Sequence, residues 1–333
     1  MKNIFLTGSE GFIGSHLTEK LVKSGHKVRC LVQYNFSNQS GWLDTIDNQI
    51  RKEIEIIPGD IRDSGFIEKV IGKKTEVIMN LAALIGIPYS YSAPKSYIDT
   101  NVYGLLNVLN AGKKLVNLES FIHTSTSEVY GTPKKLPINE THQLSAQSPY
   151  AASKIAADQL ALSFYKSFDL PVSIIRPFNT YGPRQSTRAI IPSLITQALK
   201  NSVVEVGSVF PTRDFVYVSD TVLGFVKAIN NKKAVGEVIN LGTGYEISIK
   251  DLITIIAKIT GKKIPTKTKN ERKRPLKSEV KRLLASNIKA KKILNWKPEY
   301  KKKIGLIKGL TNTVNWYKIK KNLINFKTKN FTY

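Results

Sequence analysis

Residues 7–14 read TGSEGFIG, a stretch in which three glycines stand three residues apart, after a short apolar segment and before an amphipathic one. That context predicts a strand, a tight turn and a helix. In such a turn Gly8 lets the chain reverse, Gly11 lets main-chain N–H groups approach a pyrophosphate, and Gly14 lets helix and strand pack closely. The stretch therefore predicts a dinucleotide-binding turn. Its predicted cofactor-binding residues are Gly8, Gly11, Phe12, Ile13 and Gly14.

Short apolar segments rich in β-branched residues alternate with amphipathic segments along the first 178 residues. Continuous apolar strands separated by helices are typical of a parallel sheet that is covered on both faces. The predicted strands are Asn3–Thr7, Lys27–Val32, Ile54–Ile57, Glu76–Leu81, Ser120–Thr124 and Val172–Arg176, and the predicted helices are Ile13–Lys23, Phe66–Ile71, Ser96–Lys114 and Tyr150–Phe168. We therefore predict an α/β fold: a Rossmann-type doubly wound parallel sheet, with residues 1–178 as an NAD(P)-binding domain.

Beyond Tyr181 the regular alternation gives way to frequent Gly and Pro residues. We predict that residues 179–315 form a smaller α/β substrate-binding domain that is interleaved with the first and returns to it in part. Residues 316–333 are predicted to be a basic tail. Further predicted elements are Pro192–Leu199, Val203–Val206, Thr221–Ile229, Val238–Asn240 and Ile249–Ile259.

The net charge of +26 is concentrated near the end of the chain. Residues 261–333 hold 23 Lys and Arg against 3 Glu, a net +20, which leaves +6 for the first 260 residues. No nucleic-acid motif accompanies these lysines, so we interpret them as a solvated surface and expect no nucleic-acid partner, with an anionic membrane surface or another polyanion as the alternative. No run of about 18 apolar residues is present, and the only cysteine, Cys30, lies in an apolar segment. We expect a cytoplasmic protein without a membrane span, a disulfide or a metal.

The residues after the second and third strands bear on the choice of cofactor. At the end of the second strand an acidic side chain favours NAD and an arginine favours NADP, whereas this chain has Gln33, which is able to bond a ribose hydroxyl. Asp60 and Ile61 follow the third strand and are predicted to lie beside the adenine, although Asp60 is also typical of a turn cap. The cofactor is therefore NAD or NADP, with NAD the preferred of the two.

Tyr150 and Lys154 are spaced by one helical turn on a helix that begins after Ser148-Pro149. They share one face, so the ammonium is able to favour the phenolate of Tyr150 and to bond the nicotinamide ribose. This pair predicts acid–base chemistry by a tyrosine.

Thr126, Ser127 and Glu128 follow the predicted strand Ser120–Thr124, at the sheet edge where ligands bind in this fold. Thr126 is expected to bond the 4-hydroxyl of a sugar. An enzyme that only moves hydride at carbon 4 has no need of the second base that Glu128 supplies. The catalytic candidates are therefore Thr126, Ser127, Glu128, Tyr150 and Lys154.

Nearly the whole chain resembles the extended short-chain dehydrogenases that act on nucleotide sugars. The resemblance rests on the glycine turn and on further segments of the sequence. These segments are Asn80–Ala83, Asn101, Ser125–Gly131, Tyr150–Lys154, Arg176–Arg184, Arg213–Val218 and Arg274-Pro275. Within this family Thr126-Ser127-Glu128 resembles the triplet of sugar 4,6-dehydratases, including GDP-mannose 4,6-dehydratases. Ala83–Tyr91 and Gly41–Asp44 resemble dehydratases of the legionaminic-acid pathway, which act on nucleotide-linked N-acetylglucosamine.

The resemblance implies the remaining site residues and the assembly. It places Leu81, Ala82, Ala83 and Asn101 at the cofactor, which would stay tightly bound through turnover. A nucleotide-sugar substrate calls for cations, which Arg184, Arg213 and Arg274 supply. By resemblance Asn179 bonds the diphosphate-sugar region, and Arg213 and Arg274 hold phosphates or ribose. The family further implies a homodimer through Ser96–Lys114 and Tyr150–Phe168.

The favoured function is thus a nucleotide-sugar 4,6-dehydratase, and three alternatives stay open. A nucleotide-uronate decarboxylase shares the first oxidation, but the helix after Tyr150 reads AASKIAAD without the arginine of that group. A 4-epimerase commonly lacks the glutamate of the triplet. A non-catalytic Rossmann binding protein is the third, since a fold does not fix a function.

Overall fold

The computed structural model describes residues 1–324 of the chain. Its strands are β1 (Asn3–Thr7), β2 (Lys27–Gln33), β3 (Ile54–Gly59), β4 (Val77–Asn80), β5 (Ser120–Thr124), β6 (Val172–Pro177), β7 (Asn179–Tyr181), β8 (Val204–Val206), β9 (Thr212–Tyr217), β10 (Val238–Leu241), β11 (Glu246–Ser248), β12 (Thr266–Thr268) and β13 (Arg282–Leu283). Its helices are α1 (Phe12–Lys23), α2 (Asn48–Lys52), α3 (Ser64–Val70), α4 (Ile87–Ser92), α5 (Pro94–Ile98), α6 (Gly104–Lys113), α7 (Pro149–Phe168), α8 (Ile190–Lys200), α9 (Val218–Ala228), α10 (Ile249–Thr260), α11 (Ile288–Leu294), α12 (Lys302–Lys318) and α13 (Lys320–Ile324).

A seven-stranded sheet in the order β10-β6-β5-β4-β1-β2-β3 organises the fold. Every neighbouring pair in it is parallel. The strand order reverses between β1 and β4, and in such sheets the ligand crevice lies beyond the carboxyl ends of the strands at that point. The predicted Rossmann-type doubly wound sheet is confirmed.

The core explains why the strands read as continuous apolar runs. Along β1, Ile4 and Leu6 pack into one hydrophobic cluster, while Phe5 between them packs into a second cluster. Successive side chains of a strand point to opposite faces, so both faces of this sheet are covered. A polar side chain at Ile4, Phe5 or Leu6 would therefore be buried away from water.

The helix predicted at Ser96–Lys114 is interrupted. α5 and α6 are separated by a π-helical turn at Asp99–Tyr103. π turns are rare and are frequently found at functional sites. Asn101, one of the predicted cofactor-binding residues, lies in this turn and is buried.

Beyond β6 the chain builds a second, smaller sheet around β9. β11 pairs antiparallel with β9, whereas β13 pairs parallel with its first half and β7 with its second half. β8 and β12 form a separate parallel pair. β10, however, joins the large sheet beside β6, so residues beyond 178 complete the sheet that the first 178 residues begin.

The prediction of a basic tail from residue 316 is wrong at its start. Trp316 and Tyr317 belong to α12; Tyr317 is fully buried, and the Trp316 ring meets that of Trp42 edge-on at 5.6 Å. The many lysines of α12 obscure its apolar face in the sequence. That face consists of four buried residues at helical spacing: Leu306, Leu310, Val314 and Tyr317. Residues 325–333 of the predicted tail lie outside the described residues.

Candidate active site

The glycine turn is shaped by close main-chain packing. Gly8 has φ +68°, and a Cβ there would lie 2.7 Å from the Ala82 nitrogen. A Cβ on Gly14 would lie 2.1 Å from the Gly8 carbonyl oxygen. Neither position admits a side chain, as predicted for a turn on which a dinucleotide lies.

Helix α1 begins directly at this turn, with Gly11 as its N-cap and with no side chain bonded to its first N–H groups. Phe12 and Ile13 form the first turn, so their main-chain N–H groups face the crevice uncapped. A helix N-terminus with free donors attracts a phosphate. The turn therefore fits the pyrophosphate of a dinucleotide.

The segment after β4 lies across the glycine turn. The Thr7 hydroxyl accepts the main-chain N–H groups of Leu81 and Ala82, both at 3.1 Å, and donates to Asn80 at 2.9 Å. These bonds place Leu81 and Ala82 beside Gly8, at the turn where the cofactor is predicted to bind.

Asn101 is committed to protein contacts. Its Oδ1 accepts the Leu84 N–H at 2.8 Å, and its Nδ2 donates to the Leu84 carbonyl at 3.0 Å and to Ser153 Oγ at 2.9 Å. This leaves little capacity for a direct cofactor contact. The geometry gives Asn101 the role of joining the 81–86 segment to α7.

Asp60 and Ile61 lie at the end of β3 in structural roles. Asp60 accepts the main-chain N–H of Arg62 at 2.9 Å and pairs with its guanidinium, which is the turn-cap alternative left open by the sequence. Ile61 is buried in the hydrophobic core against Gly104.

Gln33 at the end of β2 has an exposed side chain, but its main-chain N–H donates to Oε1 of Glu10 at 3.0 Å. Position 33 itself is not acidic, but in the folded chain the carboxylate of Glu10, from the glycine turn, lies beside it. Only the folded register of β1, the turn and β2 reveals this neighbour.

Tyr150 and Lys154 lie in the first two turns of α7, whose first turn is capped by Ser148. Both are buried, at 7% and 3% exposed. Burial raises the pKa of Tyr150, and a bond with Thr126 acts in the opposite direction. Burial lowers the pKa of Lys154 to about 8, because the nearby Asp158 offsets the loss of water only in part.

Lys154 Nζ donates to the Thr124 carbonyl at 2.6 Å rather than to the phenol of Tyr150. The predicted action of the ammonium on the phenol is therefore indirect in this state. The bond instead ties α7 to the end of β5, directly before the Thr126 triplet.

Asp158 anchors this corner of the site. Its Oδ2 accepts from Ser125 at 2.7 Å and from both Nε and Nη2 of Arg176, at 3.0 and 2.8 Å. Arg176 also donates to the Tyr130 hydroxyl at 2.9 Å. Sequence reasoning missed this network, although Asp158 stands one turn beyond Lys154 on the same helix face.

The triplet forms the start of a 3-10 helix at Ser127–Tyr130. Thr126 caps it by accepting the Glu128 N–H at 3.2 Å. Ser127 and Glu128 are buried, at 2% and 8% exposed. Glu128 therefore does not point into solvent.

Arg213 and Arg274 converge on Glu128. Nη1 of Arg274 lies 3.6 Å from a Glu128 carboxylate oxygen. Arg213 is buried, donates to Glu279 at 3.1 Å, and interacts electrostatically with both Glu128 and Arg274. The structure thus joins two predicted substrate-binding arginines to the predicted catalytic carboxylate.

Two further predicted substrate residues differ from each other. Asn179 in β7 has a buried Oδ1 without a hydrogen-bond partner, which fits a group awaiting a ligand. Arg184 instead pairs with Glu19 at 2.7 Å and donates to Ser15 at 3.3 Å, both on α1. Its guanidinium therefore joins the second region to α1 and does not lie with Arg213 and Arg274. These contacts do not indicate the substrate-binding role predicted for Arg184.

The assembled groups define what this site is able to do. The buried phenol of Tyr150, with the ammonium of Lys154 one helical turn away, suits proton transfer at a hydroxyl. The buried carboxylate of Glu128, which interacts electrostatically with Tyr150, suits removal of a second proton. Paired arginines suit a diphosphate. Within residues 1–324 no cluster of three or more His, Cys, Asp or Glu side chains is arranged to hold a metal ion, and none of the helices in that range has the length and apolarity needed to cross a membrane.

Comparison with known proteins places these features in context. A family model described as GDP-mannose 4,6 dehydratase matches residues 5–308. The dTDP-D-glucose 4,6-dehydratase of Homo sapiens is 30% identical, over 98% of this chain and 92% of its own. A UDP-glucose 4-epimerase of Mycolicibacterium smegmatis is 32% identical, over 95% of this chain and 98% of its own. The crystal structure of dTDP-glucose 4,6-dehydratase from Bacillus anthracis in complex with NAD superposes with a TM-score of 0.83 at 30% identity, covering 98% of this chain and 99% of that one.

Proposed function

Because this chain belongs to the GDP-mannose 4,6 dehydratase family, within which both nucleotide-sugar dehydratases and 4-epimerases are its relatives, we propose that it is an NAD(P)-dependent nucleotide-sugar 4,6-dehydratase. One observation carries the choice of reaction. Glu128 is a buried carboxylate between the tyrosine–lysine pair and two arginines. An enzyme that only transfers hydride at carbon 4 does not require that base.

The cofactor site fits a dinucleotide on the grounds of its own geometry. Gly8 and Gly14 leave no room for a Cβ, and the first N–H groups of α1 have no side-chain cap. When bound, NAD(P)+ supplies the hydride acceptor for carbon 4 and later returns the hydride to carbon 6. Because the cofactor is regenerated in place, we propose that it stays bound through turnover.

Tyr150 starts the reaction by taking the proton of the 4-hydroxyl, while Thr126 bonds the same hydroxyl. The phenol is buried, which disfavours a phenolate, and the hydrogen bond with Thr126 acts in the opposite direction. We propose that the Lys154 ammonium favours the phenolate as well. Lys154 holds the adjoining end of β5 through the Thr124 carbonyl.

Glu128 then removes the proton from carbon 5, which the new carbonyl at carbon 4 has made acidic. Water leaves from carbon 6 with a proton supplied near Ser127 and Glu128. Addition of the hydride at carbon 6 and of a proton at carbon 5 then gives the 4-keto-6-deoxy sugar, so the overall reaction is redox-neutral and eliminates one water.

The nucleotide diphosphate is held by the arginines of the second region. Arg213 and Arg274 supply planar donors that match phosphate oxygens, and the unpartnered Oδ1 of Asn179 offers an acceptor for a hydroxyl group of the sugar. We assign the substrate-binding domain to residues 179–315, with β10 returning to the NAD(P)-binding domain of residues 1–178. An N-acetylglucosamine nucleotide is one candidate substrate.

A 4-epimerase is the second candidate, favoured by the 32% identity to the mycobacterial enzyme. Both reactions begin with the same oxidation at carbon 4, in which Tyr150 takes the hydroxyl proton, and they differ in whether a proton leaves carbon 5. A uronate decarboxylase is disfavoured because α7 carries no arginine after Tyr150.

We further propose a homodimer through the helical segments α5–α6 and α7. These segments expose apolar side chains, with Ile98, Tyr103 and Phe168 at 39%, 56% and 49%. Packing two copies of both segments would form a four-helix interface and remove these side chains from water.

Mass spectrometry tests the reaction directly. Purified protein is mixed with a panel of nucleotide sugars with GDP, UDP and dTDP as carriers, and products are searched for the loss of one water. A dehydrated product from one of them supports the dehydratase. A product of unchanged mass but altered chromatographic mobility identifies an epimerase and overturns the proposal.

A further inference from the structure

Glu10 stands in the middle of the glycine turn, and its side chain reaches the end of β2. Oε1 accepts the Gln33 main-chain N–H at 3.0 Å, while Oε2 is buried without a hydrogen bond. Gly41 covers the side chain from the following loop, since a Cβ there would lie 2.8 Å from the Glu10 carbonyl oxygen and 3.0 Å from its Cβ. The carboxylate is therefore fixed between turn, strand and loop.

This place has a defined chemistry in dinucleotide-binding sheets. The end of the second strand, about 20 residues beyond the glycine turn, is where an acidic side chain accepts a hydrogen bond from the adenosine ribose 2′-hydroxyl, or where an arginine meets a 2′-phosphate. Position 33 carries neither. The Glu10 carboxylate, bonded to the main chain of Gln33, brings a negative charge to the same place from another part of the sequence.

The negative charge of the Glu10 carboxylate is only partly stabilised by its surroundings. Burial raises the pKa of Glu10, and main-chain N–H groups offset that effect only in part. Among residues 1–324 no lysine or arginine forms an ion pair with it. Hydroxyl donors from a ligand would supply the missing bonds, whereas a phosphate would add a second negative charge at close range.

We propose that Glu10 is the residue that selects the cofactor: its carboxylate accepts hydrogen bonds from the adenosine ribose and repels a 2′-phosphate, so the chain takes NAD in preference to NADP. This inference rests on the proposed function, because it assumes that a dinucleotide lies on the glycine turn. Glu10 in the glycine turn would thus bind the adenosine ribose, as an acidic residue at the end of the second strand does in other dinucleotide-binding sheets.

A competition experiment tests the selection without measuring turnover. The purified full-length protein is equilibrated with equal concentrations of NAD+ and NADP+ in excess, and the bound nucleotides are extracted and counted by mass spectrometry. We expect mostly NAD on the unchanged protein. In Glu10→Gln, whose amide oxygen still accepts the Gln33 N–H, the bound NAD to NADP ratio should fall by about tenfold or more.

Glu53→Gln is the matched control, because Glu53 is an exposed glutamate just before β3. It removes the same charge from the same half of the chain and should keep the original ratio. If Glu10→Gln also keeps that ratio within about twofold, or if the unchanged protein prefers NADP, Glu10 is only structural and the inference is wrong. Retention of neither nucleotide would overturn the inference and the dinucleotide part of the proposed function together.

A second measurement uses the unchanged protein alone and so does not depend on a variant that folds. An NAD analogue with 2′-deoxyadenosine lacks the hydroxyl that the carboxylate is proposed to accept. Calorimetry should show binding about tenfold weaker than that of NAD. Equal affinity for the two would exclude the ribose contact while leaving the dinucleotide site in place.

Discussion

Nη1 of Arg274 lies 3.6 Å from Oε2 of Glu128, which joins a proposed phosphate-binding side chain to the proposed base. Glu128 is only 8% exposed, and Arg213 also interacts electrostatically with it. A substrate diphosphate would compete for Arg274 and leave the carboxylate free to act. Binding and base chemistry are therefore linked through one guanidinium.

Glu128→Gln should separate the two halves of the reaction. The amide keeps the shape but cannot take the carbon 5 proton, so product formation should fall by on the order of 10²–10⁴. Oxidation at carbon 4 should persist and give a slowly decaying near-ultraviolet absorbance of reduced nicotinamide on the enzyme. In deuterated solvent the variant should label carbon 5 slowly or not at all. Normal turnover with full label would refute the role of Glu128 and show that another group takes the carbon 5 proton, whereas an unlabelled product from the unchanged protein would favour the epimerase.

Tyr150→Phe should abolish oxidation at carbon 4 while cofactor stays bound, because the ring is kept and only the acid–base hydroxyl is lost. The expected loss in kcat is at least about 100-fold. Tyr245→Phe, at a partly exposed tyrosine of the second region, controls for removal of a hydroxyl. Near-normal turnover in Tyr150→Phe would mean that another group takes the proton.

Lys154 predicts a pH dependence. Its pKa in the folded chain is about 8, below the ordinary value of 10.5, so the ammonium is lost as pH rises through about 8 and kcat/KM should fall there. The unfolded chain binds the proton up to about 10.5, so burying the charge costs stability below pH 8, and the contribution of Lys154 to the free energy of unfolding should grow between pH 8 and 10.5. Lys154→Arg should remove the alkaline fall in activity. An unchanged profile in Lys154→Arg would assign the fall to another group.

Asp158→Asn should destabilise the fold, because it leaves the buried Arg176 without its counter-charge. Breaking a buried ion pair by removing one partner costs about 3–5 kcal/mol. Urea unfolding followed by tryptophan fluorescence measures the loss as a lower midpoint at unchanged slope. A decrease in the free energy of unfolding of less than about 1 kcal/mol would show that the Asp158–Arg176 ion pair does not stabilise the fold.

The proposed dimer predicts a mass of twice 37.2 kDa in light scattering at micromolar concentration. Phe168→Lys places a charge in the proposed interface and should shift the protein toward the monomer, because an unpaired charge is costly to bury. The matched control is Ile304→Lys, at an exposed position of α12 outside the proposed interface. A monomeric mass for the unchanged protein would exclude the dimer.

The large sheet could be predicted because each of its strands is an apolar run bounded by turn residues. The predicted bounds of β1 and β5 match the observed ones, and those of β2 and β6 differ by one residue. The π turn around Asn101 was not predictable, since it depends on bonds to Leu84 and Ser153 far away in sequence.

Within the site, spacing alone placed Tyr150, Lys154 and the triplet on adjoining elements. The substrate-binding role of Arg184 stays a prediction, because the sequence shows its charge but not the Glu19 carboxylate with which it pairs in the folded chain. Glu10 was overlooked because its partner Gln33 becomes a neighbour only after β1 and β2 have paired.

The position of β10 in the large sheet has a consequence for biosynthesis. On the ribosome the first 178 residues emerge with β6 as an open edge, and the strand that covers it is not translated until residue 241. The Trp42–Trp316 contact forms later still. The two proposed domains therefore cannot fold one after the other. A nascent chain released early would have an uncovered β edge. Its binding by chaperones should persist until nearly the whole chain has been made.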